Sequence, residues 1–590
     1  MGFATEFFGF PSGGAYVKQL KRAPLTWVER VFKVRTFQEQ EDDRHEVGEM
    51  KRCLGAFDLI CIGVGLMLGA GVFVTTGAVA ANDAGPAVII SYLVAGFSAC
   101  LSSLCYAEFS ANMPLSGGAY SYISAVFGEF LAWITVANLI LEYILANAAV
   151  IRGFSPYFAM LINKAPESLV TATANYTLDW FAFGWCLLLT VMLVLGTKES
   201  AMFNLVVTIV HIILVVFIII AGLVKSKPSV NLQPFTPFGV RGIFNGAAIV
   251  FFSYIGFDAV ATSAEEVKNP KRDLPLGILG ALCVVTICYI LMSLALVSMV
   301  PISALQEAGS FAAAFQYVGM DWARYIVALG AVLGIITGTL VGMFAVSRII
   351  AAVARQHLLP PFLAKVHKRF GTPYISTALS GVATAVIALF TSFDELLNMV
   401  SISTLFAFWI VALALMWKRY YTPGSNGKNA LMAGQLLLLV GAALTFTIVY
   451  WVMPDSYIGM IVAAAVFVLM AFTLFFTGRQ GHRPSSYSVP LFPFVPALSV
   501  GLNTFLLGQL DRDAYIRFGI WTVAVTGVYM LYGSLASAQH DKKADRALPT
   551  NGSTLNDVPS LPYSAAAEEK GLVAHSKAME TAADATAAKP

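Results

Sequence analysis

Two stretches of the chain combine residues that weaken a helix with residues that can hold charge. Residues 63–73 read Gly-Val-Gly-Leu-Met-Leu-Gly-Ala-Gly-Val-Phe, and residues 251–259 read Phe-Phe-Ser-Tyr-Ile-Gly-Phe-Asp-Ala, each inside a long apolar run. A helix that opens in hydrocarbon bares N–H and C=O groups that only protein or a cavity can satisfy. A half-helix starting near Gly71 would aim the N–H groups of Gly69, Ala70, Gly71 and Val72 at a carboxylate. Opened carbonyls at Phe252, Ser253, Tyr254 and Ile255 would accept from an ammonium. Together these make a receptor for a zwitterion. A lone glycine in a membrane helix is a packing contact, but Gly65, Gly69, Ala70 and Gly71 in tight order exceed that need.

Ionisable groups within apolar runs are the second source of chemistry, because each costs several kcal/mol unless paired or wetted. Glu142 and Asp258 are candidates for reading a cationic side chain. The structural alternatives are a pair with Arg152 or a bond to Asn147 for Glu142, and capping of a broken helix for Asp258. His211 titrates near neutral pH, so it is either a proton-coupling group or a satisfied core histidine. Glu108 is a coupling or gating candidate or an interfacial helix-end carboxylate. Arg348 and Arg355, about two helical turns apart, fit either a cytosolic gate or an interfacial anchor.

These residues need elements that hold them in lipid. The chain has 590 residues, 58% hydrophobic and only 12% charged, against roughly 25% charged in an ordinary soluble domain. That excludes a soluble enzyme, a secreted disulfide scaffold and a nucleic-acid binder, and the net charge of +3 marks no polyanionic partner. The seven cysteines lie in or beside apolar runs without metal-type spacing and read as packing residues. No metal and no cofactor is expected.

Crossing about 30 Å of hydrocarbon takes roughly 20 helical residues. Fourteen candidate spans lie near 54–81, 87–110, 120–148, 180–196, 201–224, 243–264, 275–299, 323–352, 374–391, 396–416, 430–452, 458–476, 491–510 and 514–535. Turn chemistry such as Asn82-Asp83-Ala84-Gly85-Pro86 and Pro360-Pro361 separates them. Most of the 37 Lys and Arg residues fall in segments that are inside when the N-terminus is inside, which places both termini in the cytosol. The stretch from Gly13 to Gln40 reads as an amphipathic helix on the inner surface or as a loose tail. Residues 541–590 read as disordered, and Asn175-Tyr176-Thr177 is a glycosylation sequon in an outside loop.

Interruptions in the first and sixth spans are the pattern of two inverted five-helix repeats meeting at a midplane site. The organisation is then a tail over 1–53, repeats over 54–224 and 243–416, peripheral helices over 430–535 and a tail over 536–590. Gly69-Ala70-Gly71-Val72-Phe73, the run from Phe252 to Thr262 and the following Glu265-Glu266-Val267-Lys268-Asn269-Pro270 closely resemble the cationic amino acid transporter family of the amino acid–polyamine–organocation superfamily. Tyr106-Ala107-Glu108-Phe109 and Lys198-Glu199-Ser200 match too, and Leu141-Glu142-Tyr143 with His211 resembles the plant and algal branch. The resemblance implies an all-α polytopic membrane protein of the leucine-transporter type with four further helices. It also implies arginine, lysine and ornithine as substrates and a transport role for Glu108. Gln356-His357 stands where relatives usually carry Asp-Gly.

The leading expectation is therefore an alternating-access carrier for cationic amino acids, driven by voltage or also by protons. A neutral amino acid or polyamine carrier and a transporter-like sensor are the competing functions. Enzyme motifs such as His-Glu-x-x-His, Gly-x-Ser-x-Gly and the P-loop are absent from the sequence. The expected partners are a small amino acid, protons and membrane lipid, in a plasma or vacuolar membrane.

Overall fold

The computed structural model describes residues 23–34, 52 and 54–539, except 116, 174–175, 196–199, 308, 368–371, 454–455, 478–479 and 485. Ten helical stretches among the described residues are long and apolar enough to cross a membrane, and one of them, Ala56–Asn112, contains both of the first two expected spans. Three shorter apolar helices, Trp180–Leu195, Tyr374–Phe390 and Phe494–Leu507, fall on three more expected spans. The protein is an all-α polytopic membrane protein, with one small antiparallel hairpin pairing Thr171–Thr173 with Tyr176–Leu178.

Local chemistry sets several span ends. The first span, Ala56–Val79, opens on a box in which the Asp58 carboxylate accepts the Gly55 N–H at 2.9 Å, satisfying a donor that the helix itself leaves free. The seventh, Pro270–Met299, begins on a proline, whose missing N–H costs nothing in the first turn. The third starts at Glu129 rather than near 120, because Gly128 sits at φ 94 and separates it from the short helix Ala119–Ser124.

The helices sort by exposure. The third, Glu129–Leu161, packs along the eighth, Asp321–Arg355, and the seventh packs along both the first and the second, Val88–Asn112. Buried aromatic and aliphatic residues from these spans form one continuous core. The eleventh and twelfth spans, Asn426–Val452 and Tyr457–Thr477, pair with each other and leave Leu437 at 72% and Ile458 at 78% exposed. Such faces find their partner in lipid.

The two expected interruptions differ. The sixth span is broken: Gly239–Val250 is α-helical, Phe251–Tyr254 is a 3₁₀ turn, Ile255 is extended, and Phe257–Thr262 resumes the helix. Gly256 sits at φ 124, a conformation that L side chains rarely adopt. The first span corrects the sequence reading, since its α-helix runs unbroken from Ala56 to Val79. No half-helix starts near Gly71. The backbone N–H groups of Gly69, Ala70, Gly71 and Val72 lie inside the helix and are not presented to a carboxylate. The departure from α-geometry comes later, as a π turn at Ala80–Ala84. The glycine at 71 serves close approach instead, because a Cβ there would fall on the Cα and Cβ of Ser253.

The amphipathic stretch before the first span contains the helix Ala23–Val31, and it does not simply lie on a surface. Its Arg30 is buried and pairs with Glu129 at 3.2 Å. Ser537 donates to the same carboxylate at 2.9 Å and Tyr529 at 3.1 Å, while Trp27 Nε1 donates to the Met530 carbonyl at 2.9 Å. The helix is thereby tied to the start of the third span and to the last span, Arg512–Gln539. The expected disorder of 541–590 and the sequon residue Asn175 fall outside the described residues.

Removing one member of a buried ion pair strands the other and costs about 3 kcal/mol. Arg30→Ala should therefore lower the thermal midpoint of the purified chain in detergent by several degrees, and Ser537→Ala by much less, since a neutral hydrogen bond contributes about 1 kcal/mol. Equal midpoints for wild type and Arg30→Ala would show that the helix is not docked in this way.

Candidate functional site

The break in the sixth span frees backbone groups, and a lattice of hydroxyls surrounds it. Thr75, from the first span, lies 3.0 Å from Ser253 Oγ and 3.0 Å from Tyr92 Oη, and donates to the Gly71 carbonyl at 3.0 Å. Thr76 meets the same Tyr92 hydroxyl at 2.8 Å. Tyr254 Oη donates to the Tyr92 carbonyl at 2.8 Å. Tyr289, from the seventh span, places its hydroxyl 2.7 Å from the Ser253 carbonyl and 2.6 Å from the Met67 carbonyl. Phe252, Ser253 and Tyr254 are all buried and Ile255 is half-buried. Within the stretch from Phe252 to Ile255 the Ser253 carbonyl accepts from Tyr289, whereas the Phe252 carbonyl, expected to be open, accepts the Ile255 N–H at 3.2 Å across the 3₁₀ turn.

A second group of polar side chains lies on the other side of the break. Asp258 accepts from the Gly256 N–H at 3.2 Å and from Tyr143 Oη at 3.2 Å. It thus caps the resumed helix, as the structural alternative had it, and joins it to the third span. Glu142 has no exposed surface, and neither carboxylate oxygen has a hydrogen-bond partner of good geometry. It faces Asp258 and Thr404 of the tenth span, Phe393–Tyr420. The Tyr106 hydroxyl, also buried and unpartnered, faces both carboxylates. Arg152, a possible structural partner for Glu142, donates instead to Thr177 at 3.1 Å. Asn147 Nδ2 is engaged with the Tyr143 carbonyl at 2.7 Å. Among the described residues no basic side chain forms an ion pair with Glu142 or Asp258.

His211 lies in the fifth span, Ser200–Val224, stacked on Phe73 with ring centroids 5.5 Å apart. It is buried and its Nε2 has no partner. Phe73 also contacts Phe311, and its carbonyl accepts from Tyr157 Oη at 2.7 Å. The histidine therefore sits against the first span two residues beyond Gly71, separate from the carboxylate group.

The other candidates form bridges between helices. Glu108 is held by Arg419, whose Nε donates at 2.7 Å and whose Nη2 contacts the second oxygen. Val489 N–H donates to it at 2.6 Å, and Arg419 also reaches Ser488 at 2.9 Å. Arg419 stands about 22 Å along the tenth span from Thr404, and among the described residues no hydrogen bond or ion pair joins Glu108 to Glu142. Arg348 pairs with Glu266 at 3.2 Å and lies 4.0 Å from the centroid of Phe344. That contact ties the eighth span to the segment after the sixth. Leu54, entering the first span, pairs with the same segment through Leu54 N to Glu266 O and Lys268 N to Leu54 O, both 2.9 Å. Arg355 is exposed at the end of the eighth span.

Sequence reasoning missed Tyr289, Tyr92, Thr75 and Arg419. Tyrosine and threonine in an apolar run pass as ordinary core residues. Their signal is positional, as hydroxyls in the spans that flank an interruption. An open cavity of about 280 Å³ lined by Val300, Leu305, Gln306, Ser310 and Tyr317 lies beyond the end of the seventh span. None of its lining residues is charged, and it does not meet the carboxylate group.

Residues 54–499 match the model of a family described as amino acid permease, and residues 487–537 match one described as the C-terminus of AA_permease. The chain is 40% identical to Cationic amino acid transporter 1 of Arabidopsis thaliana over 97% of this chain and 96% of that protein. It is 36% identical to Cationic amino acid transporter 8, vacuolar, of the same plant, over 83% and 84%. A Methylthioribose transporter of Bacillus subtilis is 38% identical over 82% and 94%. These relatives are transporters, not enzymes.

Gly71→Ala tests the close approach of the first and sixth spans. The added methyl meets a backbone atom of Ser253, so overpacking should cost about 1–3 kcal/mol. A drop in thermal midpoint that Ser253→Gly does not restore is expected, whereas a wild-type midpoint would contradict the contact.

Proposed function

Because this chain belongs to the amino acid permease family, and within it to the cationic amino acid transporters, we propose that it carries basic L-amino acids of the arginine, lysine and ornithine class across its membrane by alternating access. The observation that carries this reading is Glu142, fully buried beside Asp258 with both oxygens unpartnered. A buried carboxyl group without a partner is costly to ionise, and a cation arriving beside it offsets that cost. A guanidinium or ammonium at the end of an aliphatic side chain is such a group. The carbonyls of Ser253, Tyr254 and Ile255 receive the substrate's α-ammonium at the other end. The methylthioribose-named relative makes a cargo without a cationic side chain the reading to test against.

In this mechanism the first and second sets of five spans act as inverted repeats around the broken sixth span. Both termini are cytosolic, by the distribution of Lys and Arg. The Arg348–Glu266 pair closes the cytosolic side, and Glu108 with Arg419 fixes the second span to the tenth while others move. The inside-negative potential contributes about 2.3 kcal/mol per charge per 100 mV toward uptake of a monovalent cation. His211, buried against Phe73, adds proton coupling: its protonation supplies a cation beside the first span and makes uptake rise with acidity.

Labelled arginine uptake into proteoliposomes, with voltage and pH gradient imposed separately, tests both parts. Glu142→Gln should raise the KM for arginine at least about ten-fold, the loss expected on removing a hydrogen bond to a charged group, with a smaller effect on leucine. Equal changes for arginine and leucine would refute the side-chain role. His211→Asn should keep voltage-driven uptake and lose the response to pH. If the pH response stays whole, His211 is not the coupling group.

A further inference from the structure

The guanidinium that holds Glu108 also holds a serine at the protein surface. Arg419 Nε donates to one Glu108 oxygen at 2.7 Å and Nη2 contacts the other, while the same Nη2 donates to Ser488 Oγ at 2.9 Å. Glu108 is buried, whereas Ser488 is exposed, in the irregular segment between the twelfth span and the helix Phe494–Leu507. The backbone is pinned on both sides of this serine. Val489, the next residue, gives its N–H to Glu108 at 2.6 Å, and Asn112 at the end of the second span donates to the Tyr487 carbonyl at 3.1 Å. Further cations gather here: Lys418 faces Glu108, and His482 faces both Glu108 and Arg419. His482 and Arg483 are exposed upstream of the serine. A neutral hydroxyl adds little to a guanidinium that already has two carboxylate oxygens. A phosphate would add much more, because it pairs with a guanidinium through short, charge-assisted bonds.

We propose that Ser488 is a phosphorylation site whose phosphate draws Arg419 away from Glu108 and so loosens the second span from the tenth. The serine takes the γ-phosphoryl group of ATP: the Oγ–P bond forms as the bond to the β-phosphate oxygen breaks. ADP leaves, and the hydroxyl proton passes to the base of the kinase. The product carries a charge of about −2 at neutral pH, one residue from the N–H that Glu108 accepts. Two anions then compete for one guanidinium. The phosphate has solvent and the upstream cations around it, whereas a buried carboxylate that loses its partner is costly to keep. This goes beyond the carrier reading; it rests on that reading for the effect on flux, and on the cytosolic placement of the segment for access to ATP. A serine that merely braces Arg419 would transmit no charge to Glu108.

The test encodes phosphoserine at position 488 of the full chain and compares it with wild type in proteoliposomes and in detergent. The maximal rate of labelled arginine uptake should fall about ten-fold, the size of one lost hydrogen bond to a charged group, and the thermal midpoint should drop by several degrees. Phosphatase should restore both. Ser488→Ala should keep uptake within about two-fold of wild type, and in an Arg419→Gln background phosphoserine should change the rate by less than about two-fold, since the two changes act on one contact. Unchanged rate and midpoint, or equal losses with and without Arg419, would overturn the mechanism. The midpoint comparison needs no cargo, so it stands whether or not arginine is carried. Incubation of wild-type proteoliposomes with ATP and a eukaryotic cytosolic extract, followed by mass spectrometry, should place phosphate on Ser488. Phosphate found only on Ser485 or Ser486, or on none of the three, would overturn the assignment.

Discussion

In hydrocarbon, a peptide carbonyl without a donor costs several kcal/mol, and the sixth span gives up its helical ladder between Phe251 and Gly256. Much of the polar architecture at the centre of the protein follows from that one cost. Tyr289, Thr75, Tyr92 and Tyr254 each commit a buried hydroxyl to the break or to its immediate neighbours. Gly71 lets the first helix lie directly against Ser253, so that those hydroxyls can reach. The opening persists because the surrounding helices satisfy it, and it holds backbone acceptors where an ordinary helix would hide them.

The distribution of satisfied and unsatisfied charge separates scaffold from site. Glu108 has Arg419, Ser488-linked through the same guanidinium, and the Val489 N–H; Glu129 has Arg30, Ser537 and Tyr529. Those carboxylates lock helices together at the ends of spans. Glu142 and Asp258 stand apart, close to each other, with hydroxyls as neighbours and no cation among the described residues. A pair of this kind stabilises nothing by itself. Under the proposed function its value is differential, present only when a cation sits between the carboxylates and the carbonyls of the break. The affinity of such a carrier follows from what the bound cation relieves.

Much of the architecture was legible in the sequence because lipid imposes one rule on every span: long apolar runs became helices at nearly the expected limits, and the clusters Asn82–Pro86 and Pro360–Pro361 fell between them. The break at Gly256 was legible for a related reason, since a glycine beside Asp258 in a run of aromatics has no packing purpose in a straight helix. The same logic overreached at Gly69–Gly71. Glycine weakens a helix and also permits close approach, and composition does not tell these apart; only the position of Ser253 across the interface does. The tail helix was visible as an amphipathic pattern, but the burial of Arg30 depends on Glu129, Ser537 and Tyr529, which are distant in sequence. Hydroxyls such as those of Tyr289 and Thr75 carry no periodicity of their own, so their roles emerge only from the fold.

The central claim is that the broken sixth span and the Glu142–Asp258 pair grip opposite ends of one basic amino acid. A cryo-electron microscopy map of the full chain in lipid nanodiscs with arginine tests it most directly. The account predicts ligand density with its α-amino nitrogen about 3 Å from the Ser253 carbonyl, its guanidinium against Glu142, and a sixth span interrupted at 251–256. Arginine seated away from both groups, or a sixth span that is continuous α-helix, would contradict it.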